Sequence, residues 1–161
     1  MGLLVADPIN NRCVSRCTTD PMYFAMPNTK LCGPNCSDSL FADNTTGLCV
    51  IICPPPYFGV NSTTNFTCVQ YCPPLQFKLT PGRMCVTNCP SGLFADNLTM
   101  SCVPVCPDNY YGRTSDNICV LDCAPLYRDD TTKQCKDTCP ENYTASNNSY
   151  LCQTQCDYGE Y

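Results

Sequence analysis

The sequence predicts a small disulfide-rich, β-poor repeat array: tandem single-disulfide β-fingers stacked into an extended rod, with essentially no helix. Three observations carry that prediction. Of 161 residues, 18 are cysteine, several times ordinary usage. The cysteines fall into nine C-x-x-x-C pairs, 13/17, 32/36, 49/53, 68/72, 85/89, 102/106, 119/123, 135/139 and 152/156, whose starts are 16 to 19 residues apart. Leu, Ile, Val and Phe together make up only 19% of the chain, too little apolar surface to offset the entropy of folding without cross-links.

A period this regular means an array of repeated units. Other positions keep the same phase. Val follows the first Cys in six pairs (Val14, Val50, Val69, Val86, Val103, Val120), and Pro follows the second in five (Pro54, Pro73, Pro90, Pro107, Pro140). An aromatic stands eight residues before the next pair at Phe24, Phe41, Phe77, Phe94, Tyr111 and Tyr127. The clearest copies run from Leu40 to Val50 and from Leu93 to Val103: a short apolar strand, a polar turn opened by Asp-Asn, and a second short strand ending in Cys-Val. Asp and Asn side chains bond their own backbone two residues on, so they open such turns well. An isolated hairpin is marginal in water, and a disulfide at its base supplies the missing stability. Fifteen prolines and the lack of a 3.6-residue apolar period exclude long helices. No linker interrupts the pattern, so the chain reads as one array over 1–161 of about nine repeats, with partial repeats at 1–12 and 157–161.

Sequence alone does not fix disulfide connectivity, but the period narrows it to two schemes. In one, each second Cys bonds the first Cys of the next pair: Cys17–Cys32, Cys36–Cys49, Cys53–Cys68, Cys72–Cys85, Cys89–Cys102, Cys106–Cys119, Cys123–Cys135 and Cys139–Cys152, leaving Cys13 and Cys156 unpaired within the chain or paired to a neighbour. In the other, adjacent pairs form two-disulfide modules, such as 13–32 with 17–36. The first is favoured, because each interval carries its own strand-turn-strand pattern. Closing a loop of this size is worth about 3 kcal/mol in the chain-entropy account. Both ends fall mid-repeat. The array is expected to be a window on a longer one, or Cys13 and Cys156 to pair between chains.

Seven N-x-S/T acceptors occur, at Asn35, Asn44, Asn61, Asn65, Asn97, Asn142 and Asn147. Chance placement of 14 Asn among 26 Ser and Thr gives about two. Asn44, Asn97 and Asn147 share one phase, at the finger turn, where a glycan points to solvent. Pro54-Pro55-Pro56 and the Thr pairs also offer sites for O-linked sugar. The expected carbohydrate is therefore carried covalently, and no cofactor is expected.

Composition excludes several functions. The chain has no His, so neither Ser-His-Asp nor Cys-His catalysis nor a His-containing zinc site can form. C-x-x-x-C pairs with long proline-rich intervals do not match four-Cys zinc spacing. Asp43 and Asp129-Asp130 carry carboxylates that suit calcium, but acidic pairs in turns are ordinarily solvated, and no metal is expected. A net charge of −5 disfavours nucleic acid and anionic membrane surfaces. No stretch approaches the 18 apolar residues of a membrane span. Residues 1–8 lack the basic and apolar regions of a signal peptide, whereas the cysteines and sequons point to an extracellular or cell-surface location, so a mature or partial chain is expected.

The unit C-V-x-x-C-P, an aromatic, an Asp/Asn turn and C-V-x-x-C resembles furin-like and growth-factor-receptor cysteine-rich repeats. The segments from Cys36 through Cys53 and from Cys89-Pro90 through Cys106 look more like the long arrays of cysteine-rich surface proteins of protists, ciliates especially. The resemblance implies single-disulfide fingers stacked end to end. The uniformity of the fingers favours a structural role: a glycosylated extracellular rod in a filament, fibril or surface coat that associates with itself or with neighbouring repeats. The alternative is a stalk or ligand-binding module of an adhesin or receptor ectodomain, whose tyrosines make the contact surface. An enzyme is not expected.

Overall fold

The computed structural model describes residues 4–19, 22–36, 39–62 and 66–155. The chain divides into two compact units, 1–86 and 87–161. No described residue is helical, and every strand is three or four residues long.

The first unit holds five hairpins: β1 (Val5–Asp7) with β2 (Arg12–Val14), β3 (Phe24–Met26) with β4 (Leu31–Gly33), β5 (Phe41–Asp43) with β6 (Leu48–Val50), β7 (Phe58–Asn61) with β8 (Phe66–Val69), and β9 (Phe77–Leu79) with β10 (Met84–Val86). The second holds four: β11 (Phe94–Asp96) with β12 (Ser101–Val103), β13 (Tyr111–Arg113) with β14 (Ile118–Val120), β15 (Tyr127–Asp129) with β16 (Gln134–Lys136), and β17 (Thr144–Ser146) with β18 (Leu151–Gln153).

Register is the same in all nine hairpins. The first Cys of each pair is the next-to-last residue of the second strand, and it faces the second residue of the first strand, the middle one wherever the strands have three residues. That residue is Ala at 6, 25, 42, 95 and 145, Gly at 59 and 112, and Lys78 or Arg128 in the remaining two.

Inside each unit the hairpins join by a second, parallel ladder. The first strand of one hairpin pairs with the second strand of the next: β1 with β4, β3 with β6, β5 with β8 and β7 with β10 in the first unit, then β11 with β14, β13 with β16 and β15 with β18 in the second. One bond recurs. The amide of the middle residue donates to the carbonyl of the last turn residue of the following hairpin, as in Ala6 N to Lys30 O (2.8 Å), Ala25 N to Gly47 O (2.9 Å), Gly59 N to Arg83 O (2.8 Å) and Ala95 N to Asn117 O (2.7 Å). The accepting residue is left-handed: Lys30, Gly47, Arg83 and Asn117 have φ of 56°, 71°, 48° and 57°. Non-glycine residues visit that region at a cost, and here it aims the carbonyl outward to accept the ladder bond.

Eight disulfides clip the hairpins: Cys17–Cys32, Cys36–Cys49, Cys53–Cys68 and Cys72–Cys85 in the first unit, Cys89–Cys102, Cys106–Cys119, Cys123–Cys135 and Cys139–Cys152 in the second. Each ties the segment ahead of a hairpin to the centre of that hairpin's second strand. The phased prolines acquire a role here. In four fingers the Pro after the second Cys opens a reverse turn whose carbonyl accepts from the residue three along and whose third position is left-handed. Gln76, Leu93, Tyr110 and Tyr143 donate to Pro73, Pro90, Pro107 and Pro140 across Leu75, Gly92, Asn109 and Asn142.

The core is a row of small clusters in which disulfides replace aliphatic side chains. Phe41 packs on Cys53 and Cys68, Phe94 on Cys106 and Cys119, and Tyr111 on Cys123 and Cys135. In each case the aromatic of one finger covers the disulfide of the next. Its ring also lies over the following finger's middle residue. A Cβ added at Gly59 would come within 2.6 Å of the Phe41 ring, and one at Gly112 within 2.5 Å of Phe94. Where the middle residue is cationic, the contact becomes cation–π: Lys78 lies 5.7 Å from the Phe58 centroid and Arg128 6.0 Å from Tyr111.

Candidate functional site

The finger turns carry the residues that the sequence singles out. Each turn of the Asp type is built on a carboxylate at the end of the first strand. Asp7, Asp43, Asp96 and Asp129 are all buried to 2% exposure or less, so each must be satisfied inside the fold. Asp43 accepts from Thr45 N (2.9 Å) and Thr45 Oγ1 (2.7 Å) on one oxygen and from Thr46 Oγ1 (2.7 Å) on the other. Asp129 repeats this with the Thr131 amide and the hydroxyls of Thr131 and Thr132. Asp96 accepts from Leu98 N (2.9 Å) and Thr99 Oγ1 (2.6 Å). Asp7, whose turn lacks threonine, takes its hydroxyl from Thr18 at 2.5 Å and its amide from Ile9.

For Asp7, Asp43 and Asp129 these bonds favour the ionised form. Burial raises the pKa of Asp43 and of Asp129, but the threonine hydroxyls and turn amides outweigh it, and both sit below the usual value. Asp7 is lowered chiefly by the Thr18 hydroxyl. With both oxygens of Asp43 and Asp129 occupied by their own turn, these carboxylates are structural. No group of three or more potential metal ligands occurs among the described residues.

Six of the seven predicted sequon asparagines, Asn35, Asn44, Asn61, Asn97, Asn142 and Asn147, are solvent-exposed, and Asn65 lies outside the described residues. The structure adds a point that the motif count misses: residues of four of these sequons have folding roles of their own. The Thr46 and Thr99 hydroxyls that complete the sequons of Asn44 and Asn97 are the ones that satisfy Asp43 and Asp96. The Asp129 turn keeps the same threonine with Asp130 in the asparagine position. Asn142 takes the left-handed turn position (φ 67°) that Gly92 and Asn109 take elsewhere. Asn147 accepts the Tyr127 hydroxyl at 2.7 Å, as Asp130 accepts that of Tyr111 at 2.6 Å. The shared phase of Asn44, Asn97 and Asn147 therefore follows partly from turn chemistry.

Tyr111 shows the electrostatics of this contact. Burial first, and then its hydrogen bond to Asp130, push its hydroxyl up to about 12, while the same bond lowers Asp130. Arg128 and Lys133 stand over its ring, the lysine at 5.3 Å.

Cys13 is the free cysteine among the described residues, and it is exposed. Cys156 lies outside them. Around Cys13 a cleft of about 360 Å³ is lined by Ala6, Asp7, Pro8, Asn11, Arg12, Leu31 and Cys32. The stems between paired cysteines expose apolar side chains, including Ile51, Ile52 and Tyr71 in the first unit and Val105 and Leu121 in the second. No described helix is long and apolar enough to cross a membrane. The chain matches no protein-family model, no curated protein and no solved structure.

The disulfide-rich tandem repeat fits an extracellular structural or surface module, since eight closed cystines persist in an oxidising compartment.

Proposed function

We propose that this protein is a glycosylated structural subunit of an extracellular filament, fibril or surface coat, of the class of cysteine-rich repeat surface proteins that it resembles. One observation carries the reading: among the described residues the same junction, a parallel ladder with an apolar side chain, aromatic in most fingers, laid on the next disulfide, recurs from finger to finger. Arrays of this kind act as one-dimensional solids whose units contact only their neighbours. Asp43 and Asp129 are engaged through both oxygens in their own turns and the chain has no His, which supports a non-enzymatic role. Exposed asparagines at the turns support sugar on the outer surface.

The test is imaging of the native material together with glycan mapping. Elongated particles with sugar at Asn44, Asn97 and Asn147 are expected; compact isolated particles with unmodified turns would overturn the reading. Asn97→Asp separates sugar from fold. It removes the sequon and keeps a turn that Asp130 already makes, so it should lose mass without losing stability.

The second reading is a stalk or binding module of an adhesin or receptor. The exposed stem residues Ile51 (77%) and Tyr71 (73%), with Leu75 (82%) in the adjoining proline turn, favour it, because a glycan-coated structural rod has no need of exposed apolar side chains. Retention of a partner through these stems, lost in Ile51→Ser with Tyr71→Ser, would decide for it.

A further inference from the structure

The parallel ladder brings one pair of side chains together at each joint between fingers. They belong to the residues just before the two register partners. Ahead of the pair Gly59–Met84, the Arg83 guanidinium lies 4.8 Å from the Phe58 ring centroid. Ahead of Gly112–Gln134, the Lys133 ammonium lies 5.3 Å from the Tyr111 centroid. Ahead of Ala42–Thr67, Phe41 and Phe66 meet with centroids 5.9 Å apart. The slot is the same each time, and the residues in it set its chemistry.

Between the eighth and ninth fingers the slot holds two phenols. Ahead of the pair Arg128–Leu151 stand Tyr127 and Tyr150, with ring centroids 6.2 Å apart and planes tilted by 35°. Among the described residues this is the one ring contact between two tyrosines. The backbones beneath the rings are tied by Arg128 N donating to Tyr150 O at 2.7 Å. The Tyr127 hydroxyl is held by Asn147 Oδ1 at 2.7 Å. A sugar on Asn147 would use the other amide atom, Nδ2, and leave that bond in place. Both tyrosines are half-buried, so solvent reaches them. Cys123–Cys135 closes the eighth finger and Cys139–Cys152 the ninth, so neither cystine crosses this joint.

We propose that Tyr127 and Tyr150 form an oxidative cross-linking site, joined as an intrachain dityrosine by an extracellular peroxidase that consumes hydrogen peroxide. Each phenol loses one electron and one proton to give a phenoxyl radical. The two radicals couple through ring carbons ortho to their hydroxyls. Each coupled carbon then releases its hydrogen as a proton and each oxygen regains one, which restores both rings. In sum, two phenols and one hydrogen peroxide give one dityrosine and two waters. Rotation about side-chain bonds, fast at partly exposed positions, closes the remaining gap. The product is a carbon–carbon bond across a joint otherwise held by a ladder and a ring contact, and thiols that open the cystines leave it intact. The proposal rests on the structural-subunit reading, in which such a bond locks stacked fingers.

The full oxidised chain, treated with a peroxidase and one equivalent of hydrogen peroxide, then reduced and digested with trypsin, reads this out. Peptide 114–128 has Tyr127 as its only tyrosine, and peptide 137–161 carries Tyr150 with Tyr143, Tyr158 and Tyr161. The two peptides should appear joined, two hydrogens lighter than their sum, with fragmentation placing the bond at Tyr150. A partner in the same molecule has an effective concentration in the mM range, so at about 10 μM protein the intrachain product should exceed the interchain one about a hundredfold. Tyr127→Phe and Tyr150→Phe keep a ring in the slot and should each abolish the link with the eight disulfides mapped unchanged. Tyr71→Phe, at an exposed tyrosine outside the slot, should leave its yield unchanged. The reduced and alkylated chain should lose the preference for this pair. Absence of dityrosine, bonds mainly between chains, or a bond placed mainly at Tyr143, Tyr158 or Tyr161 overturns the proposal. The same joined peptides are expected in native material, and their absence there also overturns it. Elongated native particles without the link overturn this site alone; compact particles that carry it overturn the structural reading alone.

Discussion

Substituting Gly59 by alanine probes the contact on which the stacking depends. The added Cβ would lie 2.6, 2.7 and 2.8 Å from Cε1, Cζ and Cδ1 of Phe41. Carbon atoms rest at about 3.5 to 4.0 Å, so the ring must retreat by about 1 Å. It is backed by Cys53 and Cys68 and meets Phe66 edge-on at 5.9 Å, so it cannot retreat freely. Overpacking of this kind costs about 1–3 kcal/mol. Nothing in the backbone forbids the change, since Ala42 and Ala95 hold the same register. The cost therefore arises from the ring alone, and a smaller side chain at position 41 should relieve it. Denaturant unfolding of the oxidised protein, run as a double-mutant cycle of Gly59→Ala with Phe41→Leu, measures this. We expect Gly59→Ala to destabilise by about 1–3 kcal/mol, with a coupling energy of at least about 0.5 kcal/mol to position 41. A single variant indistinguishable from the parent, or strict additivity in the cycle, would refute the idea that the ring seats on the glycine.

Three other outcomes are expected. Asp43→Ala strands the Thr45 amide and two threonine hydroxyls beside a buried position and should cost about 1–3 kcal/mol in thermal or chemical unfolding. The folded-state pKa values of Asp7, Asp43 and Asp129 lie below the unfolded value near 3.9, so their contribution is complete above that pH and is lost as pH falls through the lowered values; acid titration followed by hydrogen exchange should show the turns loosening below about pH 4. Tyr111 should ionise near 12 in an ultraviolet titration, and because its folded value is raised, its contribution is present below the unfolded value near 10 and fades as pH rises from there.

The sequence showed its cysteine phase, its turns and its lack of helix because these depend on side-chain identity. Asp-Asn turns and Cys-Val strand ends are written in the residues that make them. The ladder between fingers is not, because its acceptor is a backbone carbonyl. The residues that present it are Lys30, Gly47, Arg83, Asn117, Lys133 and Tyr150, which share no chemistry and share only a dihedral. A faint signal did exist in the small residue seven positions before most first cysteines, Ala25, Ala42 and Gly112 among them, which marks where a neighbour's ring must pass. The sequons show the converse. Their count reads as sugar chemistry, yet Thr46 and Thr99 are also required by buried carboxylates, so one motif serves two physical demands.

Because the junction uses a backbone amide, a backbone carbonyl and a ring on a sulfur bridge, it is indifferent to what the turn between strands contains. The fourth finger, whose strands run to four residues and whose cystine spans 15 positions against 12 in the eighth, docks by the same ladder. Fingers can then be lengthened, duplicated or deleted without redesigning their neighbours, and the outward turns are free to diversify while the joint stays constant. A lineage can tune the reach of such a protein by counting fingers and its outer chemistry by rewriting turns, as two independent settings.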